Sequence, residues 1–153
     1  MCIRDREAPG RSGTLSPALC AGFGAAAALM TARAGEDAAH VDALWRAATN
    51  RLDESWTING ATGQRYRGNL NIRRDGLDVN RVMSDLRDVA FSAGSACASG
   101  SGRPSHVLRA IGLSDRQARS SIRLGFGRYT SEGELVKSME AIKAAAERQQ
   151  VAA

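Results

Sequence analysis

The amino-acid sequence predicts an α/β fold of two layers, in which a small sheet is covered by helices on one side. Apolar residues recur at helical spacing near both ends of the chain. Short apolar or alternating runs bounded by turn residues lie between these ends, as the strands of a small sheet would. The 153 residues suffice for one domain with a stable core.

Two helices are predicted in the first third of the chain. Ser16 caps the first helix with Pro17 at its first position, and this helix runs to about Arg33 and stops at Gly35. The second helix covers residues 36–52. Its buried stripe consists of Val41, Leu44, Trp45, Ala48 and Leu52. The alanines and glycines of the first helix predict close packing, and a domain this small offers it no obvious partner, so we expect a larger native unit.

The rest of the chain is predicted to mix short strands with helices. Turn residues such as Asp75-Gly76 separate the elements, and residues 60–68 are predicted to be a loop. The last helix begins with a capping box, in which Ser131 is followed three residues later by Glu134. Strands are expected over residues 56–59, 69–73, 89–91 and 121–126. Helices are expected over residues 77–86, 104–111, 115–119 and 131–149.

The composition argues against a nucleic-acid-binding or membrane protein. The net charge is +5, but the arginines are scattered among Asp and Glu rather than clustered on one stripe. No apolar run reaches the roughly 18 residues that a membrane span needs, and the nearest one, residues 15–29, contains Pro17. It also lacks the basic segment and strongly apolar run of a signal peptide. We therefore expect no direct contact with nucleic acid and no membrane association.

The cysteines indicate a reducing compartment. Cys2, Cys20 and Cys97 are odd in number and far apart, which suits proteins that form no disulfides. No C-x-x-C pair and no histidine at ligand spacing accompany them, so no metal site is expected. The sequence thus predicts a cytoplasmic protein in which one cysteine can be a reactive thiol.

Residues 92–102 read SAGSACASGSG and contain only small side chains. Such a segment is expected to be mobile because it has little to pack, and Cys97 is its only residue with nucleophilic power. A thiol that travels between two positions, as in a sulfur carrier, fits this pattern. On composition alone, a flexible surface loop with an incidental cysteine is the better interpretation.

Three segments together resemble one enzyme family. SAGSACASGSGRPSHVLRAIG resembles the active-site loop of the cysteine desulfurases, and SSIRLGFGRYTSEGELVKSMEAI resembles their closing segment. GRSGTLSPALCAGFGAA resembles their Arg-Ser-Gly-Thr segment and the helix after it. The three occur in the family's order and at about its spacing, over residues 10–149. This resemblance outweighs the interpretation of Cys97 as incidental.

The resemblance implies the small C-terminal domain of an aspartate-aminotransferase-type (fold type I) enzyme that depends on pyridoxal 5′-phosphate. Residues 1–14 are then a tail and the remnant of the segment leaving the cofactor domain. Residues 15–153 are the small domain with its connecting helix and cysteine loop. The family removes sulfur from L-cysteine, which gives L-alanine and a persulfide on a mobile cysteine.

The matching motifs imply roles for three residues. Cys97 matches the cysteine that accepts the sulfur. Arg123, in Ser-Ile-Arg, matches the arginine that grips the substrate carboxylate, and a guanidinium fits a carboxylate in bidentate fashion. Thr14 matches a residue that reaches the cofactor phosphate of the other subunit in the family's homodimer. The sulfur then passes to an acceptor or an iron–sulfur scaffold protein, for iron–sulfur cluster assembly or tRNA thiolation.

The sequence departs from the family at the cofactor lysine. That lysine follows a histidine in the family's larger domain, whereas Lys137 and Lys143 both lie on the last predicted helix. We therefore expect a partial enzyme that is inactive alone and binds the cofactor poorly. Two alternatives stay open: a selenocysteine lyase of the same superfamily, and a non-enzymatic persulfide carrier or partner-docking module that uses Cys97.

Overall fold

The computed structural model describes residues 15–94 and 104–151. Contacts along the chain divide it into two compact units, Met1–Glu36 and Asp37–Ala153. The helices of the described stretches are α1 (Pro17–Thr49), α2 (Val79–Asp85), α3 (His106–Ala110), α4 (Asp115–Arg119) and α5 (Glu132–Val151). Their strands are β1 (Thr57–Ile58), β2 (Asn69–Arg73), β3 (Ser92–Ala93) and β4 (Ser121–Gly125).

The predicted break at Gly35 is wrong, because α1 continues through it to Thr49. A glycine that ends a helix adopts a positive φ, and the described glycines with a positive φ are Gly60, Gly76 and Gly112. Glycine in a helix interior costs about 1 kcal/mol relative to alanine, which a long helix of good helix formers tolerates. The side chains of Arg33 and Glu36, which flank Gly35 in the sequence, form an ion pair at 3.5 Å.

The first unit contains the N-terminal part of α1. Ser16 caps it as predicted, since the Leu19 amide donates to Ser16 Oγ at 3.5 Å. Large apolar side chains are exposed here, with Leu19, Phe23 and Met30 at 76%, 77% and 64%.

Helix α1 is also long and apolar enough to cross a membrane by length and composition, and none of that window is buried. The expectation that no segment reaches this apolar length is therefore wrong. The finding is weak evidence for a span, because signal sequences and the core helices of soluble proteins meet the same criterion.

In the second unit, the four strands form one antiparallel sheet in the order β1-β2-β4-β3. Side chains alternate between its two faces. Ile72 of β2 pairs with Ile58 of β1 and with Ile122 of β4, and Leu70 pairs with Leu124. These five side chains therefore share one apolar face of the sheet.

Helices cover this apolar face, as the two-layer prediction requires. The predicted stripe of α1 is buried at Val41, Leu44, Trp45 and Ala48, and Leu52 packs partly buried against it. The buried residues of α5 recur at helical spacing: Leu135, Met139, Ile142, Ala145 and Ala146. Helix α2 adds Val79 and Val82 to the same core.

The predicted strand over residues 89–91 is wrong, because β3 is Ser92–Ala93 instead. The Val89 amide donates to Leu86 O in a turn at 3.3 Å, and Val89 and Phe91 pack partly buried against the core. Their apolar character therefore reflects packing rather than a place in the ladder. The other elements match their predictions within a few residues at the ends, the usual uncertainty of helix and strand boundaries.

An ion pair ties α5 to the segment after α1. Lys143 Nζ lies 2.9 Å from Asp53 Oδ2 and donates to Arg51 O at 2.7 Å. Hydrogen bonds from Ser55, and then the one from Lys143, hold the pKa of Asp53 well below its usual range. A depressed carboxyl pKa stabilises the fold above the unfolded-state pKa, and this stabilisation is lost as the pH falls through the folded-state pKa.

We therefore expect Asp53→Asn to remove part of the acid sensitivity of the fold. Below about pH 4, the usual range of a free Asp, the unmodified chain loses stability faster than the variant does. The difference stays under about 1 kcal/mol because the Asp53 side chain is 49% exposed. Urea unfolding midpoints from pH 6 to pH 2 measure it, with Glu54→Gln as the charge-matched control. Parallel pH profiles for Asp53→Asn and the unmodified chain would contradict this role.

Candidate functional site

The second face of the sheet carries a row of polar side chains centred on Arg123. Arg123 of β4 pairs in register with Asn71 of β2 on one side and with Ser92 of β3 on the other. Residues directly opposite one another in antiparallel strands point to the same face. Asn71, Arg123 and Ser92 therefore form a row across three strands, on the face opposite the apolar core.

Helices α3 and α4 adjoin the sheet where β3 ends. Leu108 of α3 and Ala118 of α4 are buried, and both approach Gly94. A Cβ on Gly94 would lie 2.6 Å from Leu108 Cδ1 and 3.1 Å from Ala118 O. A side chain at Gly94 would therefore require the end of the Leu108 side chain and the Ala118 carbonyl to shift.

Both described ends of the cysteine segment are fixed in place. The Gly94 amide donates to Ser121 O at 2.9 Å, which extends the pairing of β3 with β4. On the far side, Ser105 caps α3 by accepting from the Leu108 amide at 3.4 Å. The segment that contains Cys97 therefore follows, in sequence, directly after the strand that flanks Arg123.

Behind Arg123 lies a buried polar network. Asn59 Nδ2 donates to Asn71 Oδ1 at 2.6 Å and to Ser121 Oγ at 3.0 Å. Ser121 Oγ donates in turn to Gln117 O of α4 at 2.8 Å. Asn59, Asn71 and Ser121 are all at least nine-tenths buried, and hydrogen bonds among such groups offset the cost of removing them from water.

Arg123 itself is half-buried, and its side chain has no hydrogen bond or ion pair within residues 15–94 and 104–151. Two other half-buried arginines are paired with carboxylates, since Arg128 is bidentate with Asp37 and Arg73 lies 3.2 Å from Asp75. Burial penalises a charge without a partner, so the Arg123 guanidinium is ready to bind an anion.

The predicted site residues have different outcomes. Arg123 lies on the polar face of the sheet, whereas Cys97 and Thr14 lie outside the described residues. Lys143 is held by Asp53 and Arg51, and Lys137 is exposed on α5. Both lysines of the sequence lie on α5, which packs on the apolar face of the sheet, opposite the face that carries Arg123.

Sequence reasoning missed the two asparagines of the network. The alternation of residues 69–73 places Asn71 on the polar face, which is a usable signal. Its neighbour Asn59 lies 12 residues away and becomes a partner only through the pairing of β1 with β2. No sequence pattern therefore indicates that link.

Comparison with known proteins identifies the relatives of this chain. No protein-family model matches the sequence. The chain is 43% identical over 139 residues to the cysteine desulfurase IscS of Colwellia psychrerythraea, a match that covers 88% of this chain and 34% of the relative. It is 42% identical over 134 residues to the mitochondrial cysteine desulfurase of Saccharomyces cerevisiae, a match that covers 86% of this chain and 27% of that relative. The chain is a relative of the cysteine desulfurases.

The solved structures agree with these desulfurase relatives. A NifS-like protein from Rickettsia africae superposes with a TM-score of 0.77 at 25% identity, over 90% of this chain and 36% of that one. A second NifS-like protein superposes with a TM-score of 0.70 at 19% identity, which shows the fold alone. These matches confirm the predicted fold, the small C-terminal domain of fold type I enzymes. The chain spans about a third of the length of the curated desulfurases it matches.

Proposed function

We propose that this chain supplies two active-site side chains of a cysteine desulfurase. Cys97 is the sulfur acceptor, and Arg123 binds the substrate carboxylate. The observation that carries the proposal is the position of Arg123. Its guanidinium has no partner among the described residues, and it lies beside β3, the strand that leads into the cysteine segment. This position of Arg123 supports the proposal that the two residues act in one site.

The chemistry of the two side chains matches the proposed reaction. The Arg123 guanidinium offers a planar pair of donors to the carboxylate of L-cysteine and fixes the position of the substrate. The Cys97 thiolate attacks the substrate sulfur, so that an S–S bond forms as the C–S bond breaks. The carbon keeps the bonding electron pair and takes up a proton. The balanced result is L-alanine and a persulfide on Cys97.

The residues present do not fit covalent attachment of pyridoxal 5′-phosphate, the cofactor that the family uses as an electron sink. Attachment needs a lysine at the site, and Lys137 and Lys143 lie on α5, on the other side of the sheet from Arg123. We assign cofactor binding to the part of the relatives that this chain does not match. The phosphate contact of Thr14 across a homodimer rests on the resemblance.

The proposed persulfide on Cys97 also implies a partner protein. A persulfide is useful only if a second protein removes its sulfur, so the proposal includes a sulfur acceptor or iron–sulfur scaffold protein, in the cytoplasm. The relevant reactions are iron–sulfur cluster assembly and tRNA thiolation. The absence of a lysine near Arg123 among the described residues favours one alternative, a persulfide carrier or docking module that receives sulfur from another enzyme.

A chimera separates these two functions. The region of the Colwellia relative that matches this chain is replaced by the chain itself, and L-alanine formation from L-cysteine is measured. We expect the chimera to form L-alanine, whereas the relative lacking that region does not. A folded, cofactor-loaded chimera that forms no L-alanine would contradict the desulfurase proposal and favour the carrier.

A further inference from the structure

The hydrogen-bond network behind Arg123 has a fixed direction. Arg73 Nη1 lies 3.2 Å from Asn59 Oδ1. Arginine can only donate hydrogen bonds, so the Asn59 atom that faces it must be the oxygen. The Asn59 nitrogen therefore faces the other way, where it donates to Ser121 Oγ and to Asn71.

This direction fixes the orientation of the Asn71 amide as well. The Asn71 atom that faces Asn59 Nδ2 must accept a hydrogen bond, so it is Oδ1 and the amide is not flipped. Ser121 supports the same orientation of the Asn59 amide. Its hydroxyl donates a hydrogen bond to Gln117 O, so its oxygen accepts the one from Asn59 Nδ2. The Asn71 Nδ2 donors are left pointing away from the network.

Within residues 15–94 and 104–151, no acceptor lies at hydrogen-bond distance from these donors. Asn71 as a residue is only 9% exposed, but its Nδ2 is not among the fully buried polar atoms that lack a partner. These donors therefore reach the surface, where a ligand can meet them. In register beside Asn71 lies Arg123, whose side chain also only donates. Asn71 Nδ2 and the Arg123 guanidinium are both donors and cannot bond to each other, but an anion with two oxygens can accept from both.

We propose that Asn71 Nδ2 is a second donor to the carboxylate that Arg123 binds. This inference rests on the proposed function and extends it to a residue on the neighbouring strand. Side chains directly opposite in an antiparallel pair have Cβ atoms roughly 4.5–5.5 Å apart, which lets a guanidinium and an amide reach the two oxygens of one carboxylate. The network from Arg73 through Asn59 holds the Asn71 amide in the donating orientation.

The experiment uses the full chain labelled with ¹⁵N and L-alanine, the proposed product, as the probe. L-Alanine is titrated while the side-chain resonances of Arg123 Nε and Asn71 Nδ2 are followed. We expect both resonances to move with one common dissociation constant. The unmodified chain is measured first, so the result does not depend on any variant folding.

An isosteric variant then tests the donor. Asn71→Asp keeps the Oδ1 atom that accepts from Asn59, but it replaces the Nδ2 donor by an oxygen and adds a negative charge beside Arg123. We expect L-alanine to bind at least about ten-fold more weakly, the usual effect of losing a hydrogen bond to a charged group. Asn80→Asp, at an exposed position of α2, makes the same charge change and should leave binding unaltered.

The outcomes distinguish this inference from the function on which it rests. Movement of both resonances, together with weaker binding in Asn71→Asp only, supports the role of Asn71. If Arg123 Nε moves while Asn71 Nδ2 does not, the role of Asn71 is overturned and the carboxylate site at Arg123 stands. If neither resonance moves at high L-alanine concentration, the proposed carboxylate site fails and the role of Asn71 fails with it.

Discussion

In the chimera with the Colwellia relative, Cys97→Ala is expected to abolish persulfide formation. An alanine methyl group cannot attack the substrate sulfur, so no S–S bond forms and no sulfur reaches an acceptor. Cys20 is not expected to substitute for it, because Cys20 lies outside the segment that resembles the family's active-site loop. The measurement is L-alanine released per enzyme in the presence of a reducing thiol acceptor, which fully active enzyme sustains over many turnovers.

The same variant should keep its fold. The described core is made of side chains from α1, the sheet, α2 and α5, and Cys97 lies in a segment of small residues that is expected to pack little. We expect a thermal midpoint within a degree or so of the unmodified chain, as for substitutions far from buried features. Cys20→Ala is the matched control and should keep full activity. Full L-alanine turnover by Cys97→Ala would exclude Cys97 as the sulfur acceptor.

Arg123→Gln is expected to lower kcat/KM for L-cysteine by about 100-fold in the chimera, since a bidentate charged pair with the carboxylate is lost. Under the proposed function the carboxylate is remote from the bond that breaks and is bound alike in the ground and transition states, so most of the effect should appear in KM. Arg123→Lys should recover only part of the loss, because an ammonium lacks the planar fork of the guanidinium.

Steady-state kinetics of L-alanine formation at varied L-cysteine concentration measure this split. Arg119→Gln is the control, since Arg119 is an exposed arginine in the last turn of α4. An unchanged KM in Arg123→Gln, or an equal loss in Arg119→Gln, would show that Arg123 does not bind the carboxylate.

Local sequence signals predicted much of this fold. The capping box of α5 is present, with Ser131 N donating to Glu134 Oε2 at 3.1 Å and Glu134 N donating to Ser131 Oγ at 3.2 Å. The strands over residues 69–73 and 121–126 are present as β2 and β4. In each case the determining contacts are close in sequence or follow a simple period, so the pattern alone is sufficient.

The misplaced elements depend on contacts that the pattern does not contain. Gly35 stays helical because its backbone does not adopt the left-handed conformation of a helix end. The strand next to the cysteine segment is displaced to Ser92–Ala93 because pairing with β4 sets it, with Ser92 opposite Arg123. Asn71 was overlooked for the same reason, since its importance comes from Asn59, which follows β1, and from its pairing with β4.

The most direct test of the account locates the sulfur on the chain. The chimera is incubated with L-cysteine, its thiols and persulfides are alkylated, and the cysteine-containing peptides are identified by mass spectrometry. The account predicts one extra sulfur atom on the peptide that contains Cys97, and none on the peptides that contain Cys2 and Cys20. L-Alanine formation with no extra sulfur on Cys97, or with the sulfur on Cys20, would contradict it.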